Sequence, residues 1–456
     1  MKILSRSILA AALAGSLFLA LGAQTTPAGN ADNTAAPGRA MVPQPIGGIQ
    51  ADVTTTSYKF YFGTGTAPAG YSKVIPYMGY TDTVGYGFYR SATPVTGVMD
   101  KSGQAPNGII TSNKEIYFAT ALPEGNYKVT VTFGHPDLAT NTSVNAESRR
   151  LMLEGITTKP GEYVTKTFIV NIRTPKYAGG YVNLKATRET MDEAMDWDKG
   201  LTLEFLGDHP SVAALSIDKV DVPTVYVVGD STSCDQKTEP FNSWGQTITR
   251  FFKPEVSVAN YGESGETVGD NLGRHRFDKI WSLMKPGDYV FVTSGHNEKN
   301  GKNNDMTFDQ RFYDDCKRIV DETRQRGGIP VLVTPISRAP GSASLGPYPA
   351  EMQKLATDEK VAFIDLQVPT ATLYHTLPNY HVAFASATEA THNSDFGSYE
   401  VSKMIMLGIK QNKLDLAKYI VDDYRDFDPA KPDQPSDLRF PPTPNPNRTV
   451  DTPPGS

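Results

Sequence analysis

The sequence predicts two structural classes in series: a β-sandwich, then an α/β domain built on a doubly wound parallel sheet. Up to about residue 218, apolar residues come in short runs broken by turn residues. Residues 127–133 alternate with period two directly after Pro123, Glu124, Gly125 and Asn126, the pattern of a half-buried strand behind a turn. From Pro223 onward the runs become continuously apolar, as in 224–228 and 289–293; strands buried on both faces of a parallel sheet read this way. Helical periodicity lies between them, and strand–helix alternation implies an α/β domain. A chain of 456 residues is also longer than one core ordinarily serves.

Taken in order, the elements divide as follows. Residues 1–23 read as a secretory signal peptide: Lys2 and Arg6 precede an apolar stretch over 7–22, and Ala23 offers a small residue for cleavage. Residues 24–50, rich in Ala, Pro, Gly, Asn and Thr, read as a disordered leader. The sandwich is assigned to 51–218, with strand candidates at 58–62, 127–133, 163–172 and 201–205. The α/β domain is assigned to 222–427. Its strands are expected at 224–228, 289–293, 330–334 and 361–365, with helices over 308–326 and from Gly397 to Ile409. Residues 428–456, dense in Pro and Asp without periodicity, read as a disordered tail that buries little surface.

Composition excludes several classes. The formal net charge is -6 with no clustered basic face, whereas nucleic-acid binding needs clustered Lys and Arg; no nucleic-acid partner is expected. No segment after the leader is apolar for long enough to span a bilayer, so a secreted or periplasmic protein is expected. The chain holds 22 Tyr and 20 Phe, which suits a β-rich fold and sugar contact, although core packing alone explains such a content. Cys234 and Cys316 are too few for a disulfide framework. Cys316 shares a helical face with Phe312, Ile319 and Val320, so buried free thiols are preferred over a bridge.

In such sheets chemistry gathers at the C-terminal ends of the strands. The first strand ends in Gly229-Asp230-Ser231-Thr232, a turn that presents Ser231 as a candidate nucleophile; Asp and Ser also favour plain turns. Residues 260–265 form a loop with glycines at 262 and 265, which could aim a backbone N–H into a site or be an ordinary loop. Asn297, after another strand, could donate to a developing oxyanion or simply form a turn. Glu389 precedes His392 by three residues, a spacing at which a carboxylate folds back to the imidazole. Taken singly, each signal is weak.

Together, and in that order, the four elements resemble the sequence blocks of the SGNH (GDSL-like) hydrolase superfamily, over the region from Thr224 to about Tyr424. More narrowly, residues 225–232, 295–299, 334–338 and Thr391-His392 resemble the rhamnogalacturonan acetylesterase family. Residues 62–65, 85–88 and 146–151 are similar to the galactose-binding-like sandwich that precedes some bacterial members. The resemblance implies Ser231 as nucleophile, His392 as general base and Glu389 as its acid. It also implies an oxyanion hole of the Ser231 and Gly265 N–H groups with the Asn297 side chain. No metal or cofactor is required, because the base activates the serine.

Two positions depart from the family pattern. Glu389 stands where Asp is usual, and its extra methylene changes how the carboxylate reaches the ring; Asp395 is a weaker alternative. Glu298 follows the oxyanion Asn where Asp is common. The implied activity is removal of acetyl groups from an acetylated polysaccharide or oligosaccharide, with rhamnogalacturonan as the first expectation. Alternatives are acetylxylan or another acetylated glycan, or a carbohydrate-binding protein with a degraded esterase site.

Overall fold

Five parallel strands form the sheet that carries the candidate site. They are β1 (Thr224–Val228), β2 (Ser257–Asn260), β3 (Tyr289–Thr293), β4 (Ile329–Val333) and β5 (Ala362–Ile364), in the order β2-β1-β3-β4-β5. The description rests on a computed structural model, which describes residues 48–443 apart from 64, 77, 89–95, 99–107 and 300–306. The expected signal peptide, nearly all of the leader and the end of the tail lie outside the described residues. β1 and β3 are buried at every position, as their unbroken apolar runs require. The chain winds from β1 to β2 on one side and to β3 on the other, which places a switch point at the C-terminal end of β1. β2 is the strand that the sequence reading lacked: Ser257-Val258-Ala259-Asn260 is short and half polar, too weak a signal to separate from a loop.

Helices cover both faces of the sheet. Gln310–Gln325 buries Phe312, Cys316, Ile319 and Val320 on one stripe, and the Asp309 carboxylate caps it by accepting from Arg311 N at 3.0 Å. Asp395–Gln411 is buried along most of its length, with Ser394 as N-cap. Cys234 and Cys316 are both buried and unbridged. Among the described residues no helix is long and apolar enough to cross a membrane.

The preceding region is a sandwich of two mainly antiparallel sheets. One runs Tyr163–Ile172, Gly125–Gly134, Ser211–Val220, Ser57–Phe62 and Ser72–Val74, with Ile109–Thr111 paired to the start of Ser211–Val220 and Thr96–Val98 paired to Ile109–Thr111. The other runs Tyr86–Phe88, Ile116–Ala121, Gly200–Leu206, Thr140–Ala146 and Arg150–Thr158. Their inner faces meet in a core of Phe60, Phe118, Val131, Phe133, Leu203 and Leu215.

Two segments depart from the expected division. Residues 173–199, assigned to the sandwich, lean on the α/β side: Val182, Leu184 and Trp197 are buried with Tyr226, Tyr261 and Phe277. The Trp197 ring meets Tyr261 edge-on at 5.6 Å, and Arg173 lies 4.7 Å over the Trp197 ring. The expected disordered tail is also corrected where it is described. Leu438 and Phe440 pack against the α/β core, Arg439 Nη2 donates to Glu154 Oε1 at 2.8 Å, and Thr443 is buried. Proline-rich composition lowers the entropy lost on fixing an extended path, so such a chain can lie along a groove without periodicity.

Candidate active site

The turn after β1 is shaped by its own residues. Asp230 Oδ1 accepts from Thr232 N at 2.9 Å and from Thr232 Oγ1 at 2.8 Å, an Asx-type turn that holds Ser231 at the strand end. Gly229 is needed for close approach, since a Cβ there would stand 2.3 Å from Thr293 Cγ2 and 2.4 Å from Ser233 Oγ. Asp230 thus makes the turn, and the turn sets Ser231 at the C-terminal end of β1.

His392 enters from the loop before helix Asp395–Gln411. Its neighbour Asn393 is fixed by isolated bridges to Asn242 and Phe384, and its side chain donates to Ala383 O at 2.9 Å. The ring faces Phe241 edge-on with centroids 5.6 Å apart. His392 Nε2 lies 2.8 Å from Ser231 Oγ, hydrogen-bond distance between a base and the hydroxyl it would deprotonate.

Glu389 sits on the far side of the imidazole. Its Oε2 is 3.2 Å from His392 Nδ1, but off the ring N–H axis, so Nδ1 has no aligned hydrogen-bond partner. The longer side chain is folded back onto its own turn, where Oε1 accepts from Ala390 N at 2.8 Å, Thr391 N at 2.9 Å and His392 N at 3.3 Å. Partial burial raises the carboxyl's pKa, but the Thr391 and Ala390 N–H groups and the imidazole outweigh it and hold the group below its ordinary value. Asp395 is engaged elsewhere, accepting from Arg149 Nη2 at 3.1 Å and from Asn242 Nδ2 at 2.5 Å.

The three oxyanion candidates lie beyond the ends of β1, β2 and β3, which are neighbours in the sheet. Gly265 has φ +73°, a left-handed conformation that suits glycine. The backbone N–H groups of Ser231 and Gly265 have no hydrogen-bond partner among the described residues. Asn297 Nδ2 donates to Glu266 O at 3.1 Å, which leaves its second N–H free for another acceptor. Glu298 turns away: its Oε1 accepts from Val268 N at 2.9 Å and from the Ser294 hydroxyl, and burial pushes its pKa up to about 7.

Several supporting residues carried no readable signal of their own. Arg338 donates to Thr391 Oγ1 at 2.8 Å and to His296 O at 3.1 Å, tying the histidine loop to the turn before Asn297. His296 is fully buried, which lowers its pKa to about 4 and keeps it neutral. The glycine loop is braced from residues 182–199. Lys185 pairs with Glu266 at 2.8 Å and Arg188 with Glu263 at 2.6 Å. Residues 334–338 and 146–151 attracted notice only as text shared with a family; their partners lie far away in sequence, so no local pattern announces them. Among the described residues no group of three or more His, Cys, Asp and Glu side chains is placed to hold a metal ion.

Comparison with known proteins agrees with this architecture. Residues 227–395 match the GDSL-like lipase/acylhydrolase family, and residues 58–178 match the galactose-binding-like domain of beta-agarase and YXIM esterase-like proteins. Rhamnogalacturonan acetylesterase RhgT of Bacillus subtilis is 29% identical over 221 residues, covering 43% of this chain and 94% of that protein. The uncharacterized esterase YxiM of the same organism is 25% identical over 372 residues, covering 78% of this chain and 91% of that protein. The crystal structure of B. subtilis YxiM aligns with 79% of this chain and 99% of its own at 21% identity, with a TM-score of 0.41. The chain is an esterase that carries a GDSL-like lipase/acylhydrolase domain behind a galactose-binding-like domain.

Proposed function

We propose that the protein is a carbohydrate O-acetylesterase, with acetylated rhamnogalacturonan as its substrate, working through Ser231, His392 and Glu389. The observation that carries this reading is the 2.8 Å approach of His392 Nε2 to Ser231 Oγ at the switch point of the sheet. Ser231 Oγ attacks the acetyl carbonyl carbon while its proton passes to His392 Nε2. The carbonyl oxygen becomes an oxyanion that accepts from Ser231 N–H, Gly265 N–H and the free Asn297 N–H. Glu389, ionised 3.2 Å from Nδ1, stabilises the imidazolium. As the intermediate collapses, His392 gives its proton to the departing sugar oxygen, leaving an acetyl-serine. Water, deprotonated by His392, attacks that ester and releases acetate. Ester cleavage of this kind needs only a base, a nucleophile and oriented donors.

The choice of glycan rests on the relatives. Three of the B. subtilis and Emericella nidulans proteins similar to this chain bear the name rhamnogalacturonan acetylesterase, at 24–29% identity. The test is acetate release from acetylated rhamnogalacturonan, acetylated xylan and a chromogenic aryl acetate, for the protein beside its Ser231→Ala variant. Release from rhamnogalacturonan in preference to xylan, abolished in the variant, is expected. Release that persists in the variant would remove Ser231 from the reaction, and preference for xylan would replace the substrate.

A further inference from the structure

The tip of a sandwich hairpin lies beside the candidate dyad. Strands Thr140–Ala146 and Arg150–Thr158 are joined through Glu147 and Arg149 at φ 54° and 63°, left-handed conformations that cost non-glycine residues about 1 kcal/mol. The strain is offset by what the tip reaches. The Arg149 side chain is 2% exposed, and its guanidinium binds groups of the α/β domain alone: Gln236 O at 3.3 Å, Phe241 O at 2.6 Å, Asp395 Oδ1 at 3.1 Å and the Glu239 carboxylate.

Three of those groups stand a short step from the dyad. Gln236 Nε2 donates to Ser231 O at 2.6 Å, so the carbonyl that Arg149 holds belongs to the residue that pins the nucleophile. Phe241 is the ring that packs on His392. Asp395 begins the helix that follows His392 and also holds Asn242, whose backbone N–H donates to Asn393 O at 2.9 Å. One planar fork thus ties the loop after Ser231 to the loop bearing His392. Lysine, a point donor, could not span four acceptors in this way.

We propose that Arg149 is a positioning residue, through which the sandwich holds Ser231 and His392 in register. The inference rests on the reading of that pair as the catalytic dyad. Without the guanidinium, Glu239 and Asp395 lose their shared cation and the two loops lose the fork that joins them. The effect would fall on attack by Ser231 rather than on substrate binding, since Arg149 is too buried to meet a glycan.

The experiment compares Arg149→Gln with Arg250→Ala in the full chain. Arg250 Nε pairs with Glu154 at 2.8 Å, a contact between the same two domains that has no step to the dyad. Two rates are read: turnover of a chromogenic aryl acetate, and phosphonylation of Ser231 by a fluorophosphonate, which forms the P–O bond with loss of fluoride. For Arg149→Gln, kcat and the phosphonylation rate are expected to fall together by about 10- to 100-fold, with KM within about twofold. Arg250→Ala is expected to keep kcat within about twofold. Should Arg149→Gln fail to fold, Gln236→Met removes the step to Ser231 without disturbing the charges and carries the same expectation. A folded Arg149→Gln or Gln236→Met enzyme with wild-type kcat would overturn the proposal, as would an equal kcat loss in Arg250→Ala. A wild-type protein that shows neither reaction would instead remove the dyad reading, and the clamp with it.

Discussion

Replacing Glu389 by Gln tests how much a carboxylate that approaches its histidine off-axis contributes. The amide can still accept from Ala390, Thr391 and His392 N–H groups, so the turn survives while the charge is lost. Two unit charges at the 3.2 Å separation of Oε2 and Nδ1 interact by about 5 kcal/mol at an effective dielectric near 20. The His392 and Glu389 side chains are 28% and 22% exposed, and solvent screening at that exposure reduces the figure to roughly 2–3 kcal/mol. That corresponds to a fall of about 10²-fold in kcat. His392→Ala removes the base itself and should cost on the order of 10⁶-fold. The assay is initial-rate acetate release, with thermal unfolding as the check on folding. A Glu389→Gln loss equal to that of His392→Ala would show that the carboxylate controls the tautomer despite its poor alignment. Retention of kcat within about threefold would show that the contact contributes nothing in the transition state. Either result refutes the electrostatic account.

Other consequences are open to equally direct measurement. Asn297→Ala removes one oxyanion donor and should lower kcat by about 10²- to 10³-fold with little change in KM; steady-state kinetics on the aryl acetate would show it. Glu298, held near a pKa of about 7 by burial, has an ordinary value of 4.5 in the unfolded chain. Between those values the native state keeps a proton the unfolded state has released, so this group's contribution to stability falls as pH rises, by roughly 3 kcal/mol across the window. Urea unfolding of Glu298→Gln, which retains the acceptor, should therefore match wild type at pH 4 and exceed it at pH 8. Ending the chain after Asp437 removes Leu438, Phe440 and the buried Thr443. The melting temperature should drop, by an amount corresponding to roughly 3 kcal/mol, whereas a disordered tail would leave it unchanged.

What sequence alone determined was local or periodic. Continuous apolar runs at 224–228 and 289–293 mark doubly buried strands because a parallel sheet desolvates both faces. The three-residue spacing of Glu389 and His392 permits the carboxylate to fold back to the ring. Ser231 and Asn297 stand out because a polar residue directly after a buried strand emerges at the sheet's C-terminal edge. β2 escaped notice because four residues with two polar ones carry no periodicity, and it is made a strand by its pairing with β1.

Only the tertiary structure decided the rest. It brought Ser231 and His392, 161 residues apart, to 2.8 Å. It turned Asp395 toward Arg149 and left Glu389 as the carboxylate beside the ring. It also showed that residues 173–199, which look like part of the sandwich in sequence, pack on the α/β domain, and that residues 438–443, which look like tail, are held by both domains. The tip of a sandwich hairpin, likewise, reaches the loops around the dyad. The physical reason is common to all of these. Buried charges need partners, those partners come from elements distant along the chain, and hydrogen bonds and ion pairs across an interface leave no periodic trace in either strand of sequence.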